Sequence, residues 1–134
     1  MLLRRIQSSS SSSSSSSSLI RFLSTAKQSN YIVPVDSASL AVVETGANKK
    51  IYYFTATWCP PCRFIGPKFE AVAAKYPSLS FVKIDIDQFE SAAVKYGIRS
   101  VPTFIFANGA KVMSQFSGAD ESQLLKSADS LEKS

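Results

Sequence analysis

Histidine is absent from this 134-residue chain, and cysteine occurs only twice, as Cys59 and Cys62. Without histidine, a catalytic Cys-His pair is excluded. A structural zinc site needs about four ligands, mostly Cys or His, so carboxylates or a second protomer would have to complete one here. We therefore expect no bound metal and no other bound cofactor.

Long apolar runs are missing as well. A membrane-spanning helix needs about 20 consecutive apolar residues, and no such run occurs, although 45% of the residues are hydrophobic. Of the formal charge of +5, Arg4, Arg5 and Arg21 contribute three units near the start and leave +2 for the remainder. In that remainder basic and acidic residues are interleaved, which is typical of a solvated surface. We expect neither a membrane nor a nucleic acid as partner.

Acidic residues are missing before Asp36, where eleven consecutive serines and three arginines lie instead. Such a leader is typical of an organelle transit peptide, and it lacks the apolar core of a secretory signal. We predict a disordered, serine-rich transit peptide over residues 1–26 and one folded domain over residues 27–134. The mitochondrial matrix is favoured over the chloroplast as its destination. A low-complexity tail without an address is the alternative.

Strand and helix patterns alternate along the domain. Strand patterns occupy 30–35, 49–56, 79–86 and both sides of an Asn108-Gly109 turn, and helical patterns follow Asp36, the cysteines, Gln88 and Gly118. The order β-α-β-α-β-α-β-β-α predicts an α/β fold. Its central mixed β-sheet would be parallel at the core, carry an antiparallel hairpin at one side, and be flanked by helices on both faces.

Cys59 and Cys62 are three residues apart, between a predicted strand and a predicted helix. A disulfide that closes so short a loop restricts the unfolded chain little, so a purely structural role is a poor explanation. This spacing in a βαβ context is typical of a redox dithiol, and the positive end of the helix favours a thiolate at its first cysteine. We predict that Cys59 is the exposed nucleophile and that Cys62, one turn further on and less accessible, is the resolving thiol.

Pro60 and Pro61 separate the two cysteines. Proline is tolerated in the first turn of a helix, because its missing N–H would have no helical partner there. We expect both prolines to stiffen the turn that spaces the sulfurs. We also expect Pro60 to make the couple more oxidising than a Gly-Pro pair.

Several motifs occur in one order, WCPPC at 58–62, KIDID at 83–87, KYGIRSVPTFIFANG at 95–109 and FSG at 116–118. With them the chain resembles the thioredoxin family over about 31–134. The resemblance implies the thioredoxin fold and a thiol–disulfide oxidoreductase, which we expect to be a monomer. It would reduce disulfides in target proteins and be recharged by an NADPH-dependent thioredoxin reductase. The leader, with RFLST at 21–25, and the stretch YYFTATWCPPC at 52–62 look like the o-type thioredoxins of plant mitochondria.

The resemblance assigns further residues to the site. Pro102 matches the family's cis-proline, which faces the cysteines, and the backbone of Val101 would pair with an extended segment of the target. Trp58 would lie beside the dithiol on the docking face, which Gly97 and Gly118 border. The alternatives are that Trp58 belongs to the core and that Gly97 only ends a helix.

One position departs from the family pattern. Many thioredoxins carry a buried Asp six residues before the first cysteine, thought to help deprotonate the resolving thiol, and that position is Tyr53 here. A phenol, with an ordinary pKa of about 10, is a poor base at neutral pH. Lys83 matches the lysine that accompanies that Asp and would lack its usual partner. We expect slower activation of Cys62, or a base supplied by water or by the target.

Two other functions stay open at this point. The dithiol could oxidise or isomerise disulfides, because the direction of exchange follows its potential relative to that of the compartment. A non-enzymatic alternative is a redox-inert binding module or a subunit-bridged iron–sulfur carrier. Two intact cysteines argue against inertness, and visible absorbance of anaerobically purified protein would favour the cluster.

Overall fold

The structure, a computed structural model, describes residues 30–134. The predicted transit peptide at 1–26 and the predicted start of the domain at 27 lie outside the described residues. The elements in chain order are β1 (Tyr31–Ile32), α1 (Ser37–Thr45), β2 (Lys49–Thr55), α2 (Pro60–Lys75), β3 (Ser80–Asp85), α3 (Glu90–Lys95), β4 (Thr103–Asn108), β5 (Lys111–Ser117) and α4 (Glu121–Lys133). The predicted order of strands and helices is confirmed. Within the described range, no helix combines the length and the apolar character needed to cross a membrane.

The strands of the described range form one mixed sheet in the order β1-β3-β2-β4-β5. β2 and β1 each pair in parallel with β3, whereas β4 runs antiparallel to β2 and β5 runs antiparallel to β4. In the turn between β4 and β5, Gly109 has a φ of 64°, which a glycine adopts without steric cost. The parallel core and the antiparallel hairpin at one side are therefore confirmed.

Two separate apolar cores lie on the two faces of the sheet, because successive side chains of a strand point to opposite faces. The core against α2 and α4 includes Tyr53, Phe69 and Phe104. The core against α1 and α3 includes Tyr52 and Phe54. Helices thus cover both faces, as predicted.

Side-chain hydrogen bonds cap the first turns of α1 and α4. At the start of α1, the Asp36 carboxylate accepts the Ser39 N–H at 2.8 Å, and the Ser39 hydroxyl accepts the Asp36 N–H at 3.1 Å. This reciprocal cap satisfies two N–H groups, and Gly46 caps the other end of α1. At the start of α4, Asp120 accepts the Gln123 N–H at 3.1 Å, which is one half of the same arrangement. Side chains therefore fix where α1 and α4 begin.

The end of β2 remote from the cysteines contains a buried lysine. Lys50 has no exposed area, and its ammonium donates to the carbonyl oxygens of Gly46 at 2.7 Å and Gly109 at 3.1 Å. Burial lowers the pKa of Lys50, and the charge of Glu44 partly opposes this shift. The lysine ties the end of α1 to the turn between β4 and β5.

Candidate active site

The two cysteines lie just after β2, at the start of α2. Cys59 is the N-cap of the helix, and Pro60 and Pro61 are its first two residues. Cys59 and Cys62 form a disulfide with Cα atoms 5.3 Å apart, within the usual range. The Cys62 N–H donates to Cys59 Sγ at 3.2 Å. A backbone donor therefore faces the sulfur on which a thiolate would form.

The predicted difference in exposure between the cysteines is wrong for this disulfide form. Cys59 and Cys62 are each 3% exposed, so Cys59 is not the exposed one. Both belong to a small apolar cluster with Ala56, against which Ile86 and Val101 pack, and each sulfur shields the other. The assignment of Cys59 as nucleophile and Cys62 as resolving thiol stays a prediction, which now rests on their positions in the helix.

The loop before β4 lies against the disulfide. The Val101–Pro102 peptide bond is cis, which confirms the bond geometry that the resemblance implied. The Val101 carbonyl oxygen lies 3.6 Å from Cys59 Sγ, and the Gly118 N–H donates to the Pro102 carbonyl oxygen at 2.9 Å. The backbone of Val101, Pro102 and Gly118 is thus brought together beside Cys59. Pairing of this backbone with a target stays a prediction.

Trp58 lies on the surface next to Cys59. It is 59% exposed, so the alternative that it belongs to the core is wrong. Its indole N–H donates to Asp87 Oδ2 at 2.9 Å. Asp87 was not predicted from the sequence as a site residue, although it ends the KIDID motif. The bond holds the indole in one orientation while its ring stays accessible.

Gly97 follows α3 and has a φ of 65°. Its N–H donates to the Val94 carbonyl at 3.1 Å, and the Ile98 N–H donates to the Ala93 carbonyl at 2.8 Å. This pair of bonds is the Schellman arrangement that ends many helices. The geometry therefore matches the helix-end alternative for Gly97, and a docking role stays a prediction.

A cavity of about 320 Å³ adjoins Cys62, between α2 and the β2–β3 pair. Its lining includes Tyr53, Cys62, Glu70, Lys83 and Asp85. Lys83 is the register partner of Tyr53 on β3, and within the described range it forms no salt bridge. The carboxylates of Glu70 and Asp85 were missed by sequence reasoning. Only the fold shows that α2 and β3 bring them to the same cavity.

Tyr53 reaches from β2 to the cysteine helix. Its hydroxyl donates to the Cys62 carbonyl oxygen at 3.0 Å. Burial raises the pKa of Tyr53, and a hydrogen bond with Thr55 partly opposes the shift. Burial, assisted by the charge of Glu70 and by Tyr53, also raises the pKa of Tyr31 to about 12. Both phenols are neutral at physiological pH, so a base role for Tyr53 is disfavoured.

Phe64 adds an exposed aromatic ring two residues beyond Cys62. It is 57% exposed, and the Lys68 ammonium lies 5.0 Å from the centroid of its ring. The signal in the sequence was an apolar residue on α2 outside the apolar stripe that contains Phe69. Such a residue has no core to enter, so it remains on the surface.

The chemistry that the site offers is that of its two sulfurs. Among residues 30–134, no group of three or more His, Cys, Asp or Glu side chains is placed to hold a metal ion. A mixed sheet that carries a Cys-x-x-Cys disulfide at a helix start, against a cis-proline loop, defines a thiol–disulfide oxidoreductase.

Comparison with known proteins specifies the family. The family described as Thioredoxin matches residues 32–130. The chain belongs to the thioredoxin family, and its fold is the thioredoxin fold. Thioredoxin H4 of Arabidopsis thaliana is 35% identical over 103 residues, which cover 76% of this chain and 72% of the relative.

Two further similarities differ in how much of each protein they cover. The TPR repeat-containing thioredoxin TDX of Oryza sativa subsp. japonica is 35% identical over 106 residues, which cover 75% of this chain and 33% of the relative. The chain thus spans about a third of that relative's length. The crystal structure of thioredoxin O2 from Arabidopsis thaliana in the oxidised state has 30% identity and a TM-score of 0.73, covering 78% of this chain and 96% of that one.

Proposed function

We propose that the protein reduces disulfides in other proteins, with Cys59 as nucleophile and Cys62 as resolving thiol. The observation that carries the proposal is the Cys59–Cys62 disulfide at the start of α2, with the Val101 carbonyl oxygen 3.6 Å from Cys59 Sγ. An extended target segment that paired with the Val101 backbone would bring its own disulfide to this sulfur. Exposed Trp58 would contact the same segment.

The exchange has two steps. The Cys59 thiolate attacks one sulfur of the target disulfide, the target S–S bond breaks, and the other target sulfur leaves as a thiolate that takes up a proton. Cys62 then gives its proton to solvent, and its sulfur attacks Cys59 Sγ, which forms the Cys59–Cys62 bond and releases the second target thiolate. Two electrons have then passed to the target, which holds two thiols.

The oxidised pair must be reduced before the next turnover. We propose an NADPH-dependent thioredoxin reductase as the electron donor, with the hydride of NADPH as the source of the two electrons. No cofactor bound to this chain is needed in that scheme, because Cys59 and Cys62 hold both electrons between turnovers. We further propose that the protein acts as a monomer.

We also propose that the protein is an o-type thioredoxin of the mitochondrial matrix. Support comes from the arginine-rich and serine-rich leader and from the similarity to thioredoxin O2. Thioredoxin H4 is similar too, so the proposed assignment to the o-type rests mainly on the leader. A fluorescent fusion of the full chain should enter mitochondria, and changing Arg4, Arg5 and Arg21 to Ala should leave it outside them. Entry into chloroplasts, or no effect of the arginines, would contradict the assignment.

The test of the activity is insulin-disulfide reduction by the full chain with NADPH and thioredoxin reductase, beside a Cys59→Ser control. We expect reductase-dependent turnover that the control lacks. Turnover with dithiothreitol but not with the reductase would keep the dithiol chemistry and overturn the proposed donor, with glutathione the next to test. No turnover with either reductant would overturn the proposed function.

A further inference from the structure

The backbone of Cys62 is held on both sides by groups outside the regular helix ladder. Its N–H donates to Cys59 Sγ at 3.2 Å, and its carbonyl oxygen accepts the Tyr53 hydroxyl at 3.0 Å. The first contact changes whenever the disulfide opens, since it involves the reacting sulfur. The second contact does not involve either sulfur, so opening the disulfide does not by itself break it.

Tyr53 is a rigid anchor for that second contact. The side chain is 1% exposed, and its ring stacks on Phe104 at 5.1 Å between centroids and packs on Phe69 at 4.9 Å. β2, which carries Tyr53, is hydrogen-bonded to strands on both sides. The hydroxyl therefore cannot shift without disturbing the close-packed core.

The cysteine helix lacks one internal bond next to Cys62. Pro67 has no N–H group, so the Arg63 carbonyl oxygen lacks its helical donor. A Cβ at Gly66 would lie 3.6 Å from the Tyr53 hydroxyl, an ordinary van der Waals contact, so the hydroxyl lies directly beside this part of the helix. An added donor from the sheet therefore matters more here than in a helix with a complete ladder.

We propose that Tyr53 is a positioning residue that holds Cys62 in place for its attack on Cys59 Sγ in the mixed disulfide. The inference rests on the proposed exchange reaction. Because Cys62 is anchored to β2, Cys59 is the residue that moves when the two sulfurs separate. Cys59 lies at the N-cap, outside the helix. Cys59 can then move toward the target, and Cys62 stays where its thiolate displaces the target sulfur and forms the Cys59–Cys62 bond.

The geometry also shows what Tyr53 does not do. Its hydroxyl proton is donated to a carbonyl oxygen, and burial keeps the phenol neutral by raising its pKa. Other charged groups around the cavity are Arg63 and Glu70 on α2 and Lys83 and Asp85 on β3. Tyr53 itself therefore acts through position, and replacing it should not shift the pH dependence of the second step.

The test is a single-turnover reaction of the reduced full chain with a small aromatic disulfide whose thiolate is coloured. The chain has only two cysteines, so one coloured thiolate is released when Cys59 attacks and one when Cys62 resolves the mixed disulfide. We expect Tyr53→Phe to slow the second, unimolecular release about three- to tenfold, the effect of losing one hydrogen bond. The first release should stay within about twofold of the wild type.

Tyr52→Phe is the matched control, because Tyr52 is the adjacent tyrosine, is 2% exposed and lies on the opposite face of the sheet. It should leave both releases unchanged. An unchanged second release in Tyr53→Phe would overturn the proposal, as would equal slowing in Tyr52→Phe or a shifted pH profile. Each of these results leaves insulin reduction by the wild type untouched, so the proposed function is judged separately.

A measurement on the wild type covers the case in which Tyr53→Phe does not fold. The measurement is a carbon NMR spectrum of reduced protein that contains carbon-labelled tyrosine, in a mixture of light and heavy water. A hydroxyl that stays hydrogen-bonded and buried exchanges its hydrogen slowly, so the signal of the ring carbon that bears it splits in two. We expect this splitting for Tyr53. A single averaged signal would show that the bond is lost on reduction, which contradicts the proposal.

Discussion

Tyr52 and Tyr53 are neighbours on β2 and are almost equally buried, at 2% and 1% exposed, yet they point to opposite faces of the sheet. Burial raises the pKa of both. On one face, the Tyr53 hydroxyl donates to the Cys62 carbonyl. On the other, the Tyr52 ring packs 5.4 Å from Tyr96, whose hydroxyl donates to Glu44.

The two faces differ in what the groups around each tyrosine connect. Glu44 also forms a salt bridge with Lys95 at 2.9 Å. The polar groups on that face therefore link α1 to α3. On the face of α2, the aromatic core continues through Tyr53 to Cys62. Equal burial therefore does not mean an equal role, because the role depends on what each hydroxyl contacts.

The largest expected effect comes from removing one large ring from each face. Phe69→Ala and Phe54→Ala should each lower the free energy of unfolding by about 3–5 kcal/mol, because both rings are fully buried. Chemical unfolding of the two variants measures this. Only Phe69→Ala should also slow the release that depends on Cys62, since Phe69 packs on Tyr53. Equal slowing in both variants would remove the distinction between the two faces.

A smaller effect should follow from Glu44→Gln on the face of α1 and α3. Burial raises the pKa of Glu44, but hydrogen bonds from Tyr96 and Lys95 more than offset this and leave the pKa below its ordinary value. A depressed carboxyl pKa stabilises the fold above the unfolded-state value of about 4.3, and this contribution is lost as the pH falls through the folded-state pKa.

The difference in unfolding free energy between wild type and Glu44→Gln should thus be about 1 kcal/mol at neutral pH and shrink in acid. Urea unfolding across the acidic range measures it. A difference that grows in acid would show that the sign is wrong. Disulfide exchange by Glu44→Gln should match the wild type.

The smallest effect is expected at the first turn of α2, where Pro60 stiffens the link between the sulfurs. Pro60→Gly should lower the redox potential by about 10–20 mV, where about 30 mV corresponds to a tenfold change in the equilibrium constant. Equilibration with glutathione buffers measures it. An unchanged or higher potential would mean that stiffening of the turn does not make the couple more oxidising.

Much of the fold was predictable because it depends on local patterns. The apolar strands, the Asp36 cap of α1 and the hairpin near Gly109 each have a signal within a few residues. The positions of Cys59 and Cys62 at a helix start followed from the same patterns. The cis bond before Pro102 followed only from the family resemblance.

The contacts that were missed join residues distant in sequence. Asp87 accepts a hydrogen bond from Trp58, and buried Lys50 donates to carbonyl oxygens of two separate loops. The bond from Tyr53 to Cys62 depends on how α2 crosses β2. The predicted exposure of Cys59 was wrong because Val101 packs against the cysteine cluster in the disulfide form. No local sequence pattern predicts that contact.

The most direct test of the account is to trap the mixed disulfide, since equal exposure of the two cysteines does not distinguish their roles. The full chain with Cys62→Ser, or with Cys59→Ser, is reacted with a disulfide-containing protein and analysed by intact mass and peptide mapping. We expect a lasting adduct on Cys59 in Cys62→Ser and little adduct in Cys59→Ser. A lasting adduct on Cys62 in Cys59→Ser, with none in Cys62→Ser, would contradict the assignment of Cys59 as the nucleophile.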